Sequence, residues 1–208
     1  MGRPPKNTFG EQTSTRILRA AEDAFGAHGF RQARLADIAE KAGIRRSSLL
    51  YHFGSKDLLY AEVVERAFAQ LEETIGTAIN EGPTEPEPAI NYLVDTLVAF
   101  AKSRSPVVRV MLREMVDPSG EGEVLIAFGK LIRALERAFR SVAGDRISPD
   151  FPVQAAIMQL VSAYFLRNSV GPLGRELWGR GDHTHQLTQM MMLGTYRSSG
   201  VKKADDAQ

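Results

Sequence analysis

The chain has 208 residues and a mass of 22.9 kDa, with 43% apolar and 25% charged side chains. That is enough for one large domain or a small one joined to a larger one, and the balance lies outside the disordered and fibrous classes. The absence of cysteine excludes a disulfide framework, a thiolate zinc site, an iron–sulfur cluster and a cysteine nucleophile together.

No stretch approaches the roughly 20 apolar residues that span a bilayer, and the opening Met-Gly-Arg-Pro-Pro-Lys lacks the apolar run of a secretory signal. A cytoplasmic protein with no membrane partner is expected. Net charge is only +1, but residues 1–60 carry ten Lys/Arg against six Asp/Glu, whereas residues 61–208 carry sixteen against nineteen. The basic excess sits at the N-terminal end. A surface fluctuation gives the same numbers, so motifs must decide its meaning.

Taken in chain order, the apolar spacing is helical throughout and no strand pattern emerges. Residues 15–28 place Leu18, Ala21 and Phe25 on one face beside Ile17 and Ala24, with Gly29 where a helix end favours a left-handed residue. Short helices follow at 34–42 and 45–53 around Ala42-Gly43-Ile44. Ser55 then caps a long helix with Val64, Phe68, Leu71, Ile75 and Ile79 on one stripe and Glu62 and Arg66 on the outer face. After a linker containing Gly82, Pro83, Pro86 and Pro88, helices are predicted at 89–103, 106–116, 122–143, 152–170 and 183–197. The helix at 122–143 carries Val124, Phe128, Leu131, Leu135 and Phe139, with Leu125 and Ile132 alongside and Arg133, Arg137 and Arg140 turned to solvent. The stretch 171–181 reads as a loop containing Trp178, and 201–208 as a disordered tail. The fold class is all-α, with about nine helices.

The informative segment is Ile38-Ala39-Glu40-Lys41-Ala42-Gly43-Ile44, followed by Leu49-Leu50-Tyr51-His52-Phe53. Two short helices meeting steeply need a small side chain where their backbones approach, supplied by Ala39, and a residue tolerant of positive φ in the turn, supplied by Gly43. With Ile38, Ile44, Leu49 and Phe53 inward, a rotation of about 100° per residue sends Ser47 and Tyr51 outward, flanked by Arg46, Ser48 and Leu50. An exposed Arg45-Arg46-Ser47-Ser48-Leu49-Leu50-Tyr51 helix suits a DNA major groove. Arginine bonds guanine edges or phosphates, serine bonds either, and leucine packs on a thymine methyl. Lys56, opening the next helix, is placed to grip a phosphate beside the groove. An ordinary helical hairpin satisfies the same turn pattern, so the outward face is what separates the two readings.

Between Thr15 and Phe68 the residues Arg16-Ile17-Leu18, Ala21, Phe25, Gly29-Phe30, Asp37-Ile38-Ala39, Ala42-Gly43-Ile44, Leu49, His52-Phe53, Ser55-Lys56 and Leu58 closely resemble the DNA-binding domain of the TetR family of transcriptional regulators. The resemblance covers about a quarter of the chain; the remaining helices are similar to the family only in number and length. It implies base-facing roles for Arg46, Ser47 and Leu50, with Arg45 at the helix start, and phosphate contacts from Ser48, Tyr51, His52 and Lys56. Two positions depart from the family's usual pattern. Arg34 stands where a threonine is usual and reads as a longer-reaching phosphate contact; Leu50 stands where a tyrosine is usual and reads as an apolar base contact. The arm Gly2-Arg3-Pro4-Pro5-Lys6 resembles those that insert an arginine into a narrow minor groove, through Arg3 and Lys6, and an untethered basic tail is the alternative.

The resemblance also implies a homodimer and a small-molecule effector held among the middle helices. Residues 153–166 are apolar nearly all round, as in a helix covered on two sides. Met158, Val161 and Phe165, with Leu187, Met190, Met191 and Gly194 of the last helix, form the expected dimer interface, a central helix in a monomer being the alternative. Effector candidates are Phe68, Tyr92, Phe100, Met111, Met115, Phe128, Ile132, Tyr164 and Asn168, which imply a largely apolar ligand if they are more than core. Arg109, Arg113 and Glu114 are candidates for its polar end, or else are exposed. An enzyme is disfavoured: His183 and His185 lie about 200° apart on a helix and cannot share a metal, and no triad or phosphate loop appears.

The expected organisation is an arm at 1–12, a helix-turn-helix domain at 13–60 with its motif at about 34–53, an effector and dimerisation domain at 61–200, and the tail. The expected function is a DNA-binding regulator, a repressor released from a pseudo-palindromic operator by its effector. It would need no cofactor and no metal. A ligand-independent architectural DNA-binding protein is the alternative.

Overall fold

The structure, a computed structural model, describes residues 6–116, 123–143 and 148–179. Among these the chain is all-helical, with nine helices: α1 (Lys6–Gln32), α2 (Leu35–Lys41), α3 (Arg46–Phe53), α4 (Lys56–Glu81), α5 (Pro86–Ser103), α6 (Ser105–Val116), α7 (Glu123–Ala143), α8 (Val153–Ser169) and α9 (Pro172–Trp178). None of them is long and apolar enough to cross a membrane.

Helix α1 starts earlier than its apolar stripe, so residues 6–12, expected in a flexible arm, are helical. Its regular ladder breaks at Gly29 (φ 73°, ψ 173°), the left-handed residue expected there. Helix α9 corrects the sequence reading. Pro172 at its first position and Gly179 (φ 79°) just past its end look like loop punctuation, yet they delimit a helix, because proline's fixed φ suits the first turn and glycine suits the exit. The helix expected at 183–197 and the tail at 201–208 lie outside the described residues.

The chain divides into two compact units, Met1–Gln70 with Arg104–Leu125, and Leu71–Ser103 with Ile126–Gln208. The N-terminal unit thus reaches beyond residue 60 and takes in α6. Its fully buried side chains include Ile17, Phe25, Ile38, Leu49, Leu59, Val63, Val107, Val108 and Met111. Helices α1 and α6 touch at backbone level: a Cβ added to Gly26 would lie 2.6 Å from the Pro106 carbonyl oxygen.

Polar ties hold the same seam. Arg104 Nη2 donates to both carboxylate oxygens of Glu22, at 3.2 and 3.0 Å, and to Gln70 Oε1 at 2.6 Å. Arg66, expected on the outer face of α4, turns inward, its Nε 3.8 Å from Glu22 Oε1. An amphipathic stripe cannot disclose this, because the attraction comes from a carboxylate on another helix. Burial pushes the Glu22 carboxyl above its ordinary value, against the opposing pull of Arg104 and Arg66. Arg109 and Arg113 also turn to α1, donating to the carbonyls of Gly26 at 3.1 Å and Ala27 at 3.5 Å.

The second unit is built on Phe100, Phe128, Leu131, Ile132, Leu135, Phe139, Ile157, Tyr164 and Phe165, all buried. The α7 stripe is as expected from Phe128 onward; the side chains of Val124 and Leu125 lie outside the described residues. At the end of α4, Ala78 is buried and Ile79 is exposed, because the step from Leu71 to Ile75 is four residues and the 3.6-residue period then calls for three. Arg133 and Arg137 face solvent, but Arg140 does not: its Nε donates to Glu136 Oε1 and its Nη2 to the Phe151 carbonyl, both at 3.0 Å. With Gln154 Nε2 donating to Glu136 Oε2 at 2.6 Å, these bonds hold the Glu136 carboxyl below its ordinary value.

Replacing Gly26 by alanine is expected to lower unfolding free energy by about 1–3 kcal/mol, since backbone must yield to the new methyl group. Gly76→Ala, with nothing within 4 Å of its added Cβ inside α4, should instead stabilise by up to about 1 kcal/mol. Urea titrations of the two variants against the parent chain read the opposite signs. The pH response follows from Glu22. Its folded pKa lies above the unfolded value of 4.5, so the folded chain keeps a proton that the unfolded chain has lost. This group's contribution to stability therefore falls as pH rises from 4.5 through the raised value and levels off above it. Glu22→Gln should remove that slope from a series of thermal melts between pH 4 and 7.

Candidate nucleic-acid interface

The turn between α2 and α3 is closed by backbone bonds from Gly43 N–H to the Glu40 carbonyl, at 2.9 Å, and from Ile44 N–H to the Ala39 carbonyl, at 3.0 Å. Gly43 has φ 68° and open space around it, so the turn needs its conformational freedom rather than its small size. Arg34 precedes α2 in extended conformation and offers no side-chain cap, leaving its guanidinium exposed.

Helix α3 is pinned by one residue. Leu49 is completely buried, as are Ile38 and Ala39 of α2, while Ile44 and Phe53 are only half-buried. One inward anchor on a helix of eight residues leaves most of its circumference free. Arg45, Arg46, Ser47, Ser48, Tyr51 and His52 are exposed, and Leu50 is half-buried between the two faces. Tyr51 stands 89% exposed, its ring edge-on to His52 with centroids 5.9 Å apart. An exposed tyrosine flanked by cations and hydroxyls offers donors and an apolar face without internal competition for either.

Gly54 (φ 73°) ends α3, and Ser55 Oγ accepts the Leu58 N–H at 3.1 Å as the expected cap of α4. Lys56 is placed differently from expectation. Its ammonium donates to the Arg31 carbonyl at 3.2 Å and lies 4.8 Å from the centroid of the Phe30 ring, so this half-buried lysine is anchored on α1. One bond leaves two of its three donors for another acceptor. Leu58, matched above only as part of a pattern, is an exposed apolar residue next to Gly54; no periodicity marks it, because it sits off the α4 stripe. Arg3 and the side chain of Lys6 lie outside the described residues.

The expected effector residues are divided between the two units. Phe68, Met111 and Met115 belong to the N-terminal unit, and Tyr92, Phe100, Phe128, Ile132, Tyr164 and Asn168 to the second. Tyr92 is substantially exposed, and the Asn168 side chain lies outside the described residues. Glu114 is buried and accepts a bond from the Tyr60 hydroxyl, and Arg109 is half-buried on α1, so these two are not the exposed charges the sequence allows. Between α5 and α8 lies a hollow of about 30 Å³ lined by Val94, Leu97, Val98, Leu160, Val161, Tyr164 and Phe165. Of the effector candidates only Tyr164 lines it, with its hydroxyl donating to the Val98 carbonyl at 3.4 Å. A space of that size is too small for a ligand of several atoms.

The expected dimer residues also divide. Val161 and Phe165 are filled into the chain's own core, which corrects their assignment to an intersubunit surface. The exposed side of α8 instead presents Ala155, Gln159, Ala163 and Leu166, with Met158 half-buried beside them. Leu187, Met190, Met191 and Gly194 lie outside the described residues, as do His183 and His185.

Residues 17–63 match the family of bacterial regulatory proteins, tetR family. Over 119 residues the chain is 30% identical to the HTH-type transcriptional regulator UidR of Escherichia coli (strain K12), an overlap of 53% of this chain and 56% of that protein. It is 48% identical over 50 residues to the HTH-type transcriptional regulator RutR of the same strain, 24% of each chain. The chain thus spans about half the length of the curated relatives it matches over the longer stretch. Its fold is similar to that of a TetR-like transcriptional regulator from Rhodococcus sp. RHA1, with a TM-score of 0.69 at 21% identity, covering 96% of this chain and 100% of that one.

Leu49→Ala is expected to destabilise the chain by about 2–5 kcal/mol by emptying the one anchor of α3. Tyr51→Ala should change stability by no more than about 0.5 kcal/mol. Chemical denaturation followed by circular dichroism measures both, and comparable losses would mean that α3 is held by its outer face.

Proposed function

We propose that this chain, a TetR-family protein by its N-terminal domain, is a DNA-binding transcriptional regulator that reads the major groove with α3. The observation that carries the reading is the outward face of α3, with Arg46, Ser47, Ser48, Tyr51 and His52 exposed around a single buried leucine. Arg46 and Ser47 bond base edges and Leu50 supplies apolar contact at the groove floor. Arg34, Arg45, Ser48, Tyr51, His52 and Lys56 contact phosphates, Lys56 through the donors it does not spend on Arg31.

The same reading makes the protein a homodimeric repressor. The exposed Ala155, Ala163 and Leu166 on α8 support a pairing surface, and Leu187, Met190, Met191 and Gly194 are proposed for the same interface from their spacing in the sequence. Two copies place their α3 helices in successive major grooves about 34–36 Å apart on a pseudo-palindromic site. A small, largely apolar effector that binds the DNA-incompetent arrangement more tightly shifts the population and releases DNA, and only its differential affinity counts. Regulation of this kind uses no catalytic group, no cofactor and no membrane, and it operates where the DNA is, in the cytoplasm.

Fluorescence anisotropy with labelled DNA from upstream of the protein's own gene tests the reading, at two salt concentrations and with excess unrelated DNA. Saturable binding that survives the competitor is expected; binding erased by competitor and salt together would favour an architectural DNA-binding protein. Arg46→Ala should cost about 1–3 kcal/mol of specific affinity and flatten base preference, whereas Lys56→Ala should weaken all sequences alike and lower the salt slope by about one unit. Indistinguishable effects would overturn the division between base and phosphate contacts.

A further inference from the structure

Helix α3 is joined to α4 by only Gly54 and Ser55, so the direction in which α3 presents its outer face depends on how the first turns of α4 are held. They are held at two points one helical turn apart on the same face. Lys56 is fixed on the Arg31 carbonyl and the Phe30 ring. The Tyr60 ring stands edge-on to Phe25 with centroids 4.8 Å apart and lies 5.0 Å from Phe30, while its hydroxyl donates to Glu114 Oε1 at 2.5 Å.

Glu114 is 1% exposed and belongs to α6, separated from Tyr60 by 54 positions in sequence. Its place does not depend on Tyr60, because α6 is set on α1 by the Gly26–Pro106 backbone contact and by the bonds from Arg109 and Arg113. A phenylalanine would fill the aromatic cluster as well as Tyr60 does. What the hydroxyl adds is direction, since a short hydrogen bond to an immobile carboxyl permits one rotation of α4 where apolar packing permits several.

We propose that Tyr60 and Glu114 are positioning residues for DNA recognition: α6, far along the chain from the helix-turn-helix, sets through this bond the angle at which α3 enters the groove. The inference rests on the regulator reading above. It makes the functional DNA-reading unit α1–α4 together with α6.

Anisotropy titrations of the full-length chain and its variants on the same upstream DNA, paired with thermal melts, test it. Tyr60→Phe and Glu114→Leu should each weaken specific binding about three- to tenfold, the size typical of a contact acting through packed side chains. Glu114→Gln keeps an acceptor for the hydroxyl and should bind as the parent does. The salt slope should stay unchanged in all three, because no phosphate contact is removed. The double variant Tyr60→Phe/Glu114→Leu separates positioning from stability. Both ends of the bond are then gone, and affinity should stay low whatever part of the melting temperature returns. Affinity that recovers with melting temperature, or a Tyr60→Phe chain that binds as the parent does, overturns the proposal. Should Glu114→Leu not fold, Tyr60→Phe alone decides. A parent chain that binds no DNA overturns the regulator reading itself, an outcome distinct from tight parental binding with unaffected variants.

Discussion

The end of α1 is the point on which the N-terminal unit hangs. Gly29 leaves helical φ/ψ close to the end of α1. Three cations from distant parts of the chain bond carbonyls on either side of it: Arg109 at Gly26, Arg113 at Ala27 and Lys56 at Arg31. Each brings positive charge to the negative end of the helix dipole, and each ties another helix to the same place. Helix α6 is fixed along α1 by the two arginines, and α4 is fixed at its start by the lysine. Helix α3 ends two residues before that lysine's helix, so its placement depends on contacts at the end of a helix it does not belong to.

Burial and polarity divide the work in this unit. Phe25, Ile17, Leu49 and Met111 are among the fully buried apolar side chains that supply the driving force, but apolar packing tolerates rotation. The polar contacts inside it are directional. Glu22 is a costly one: its burial opposes ionisation, and Arg104, whose Nη2 it shares with Gln70, and Arg66 compensate. An apolar residue there would be simpler to bury, and it would not select one register of α1 against α6.

In the second unit the same logic acts at one surface cluster, where Arg140 and Gln154 hold Glu136 and bring α7 to the start of α8. Its described interior is apolar, and the hollow between α5 and α8 is about 30 Å³.

The sequence by itself determined the helices and the face that α3 turns outward. Both are local: the period of 3.6 residues assigns Leu49 inward and Tyr51 outward, and Gly29, Gly43 and Ser55 act on their own backbone neighbours. Helix α9 escaped because proline and glycine delimit helices as well as loops, and the start of α1 escaped because its first turns carry no apolar stripe. Only the tertiary structure decided the partners of the charged residues. Lys56, Arg66, Arg109, Arg140 and Glu114 all look like solvent-facing or ligand-facing groups in one dimension, since nothing in a periodic pattern encodes an acceptor many residues away. It also decided that Val161 and Phe165 fill the chain's own core while Ala163 and Leu166 remain outside, because an all-apolar helix leaves its orientation to whatever packs against it.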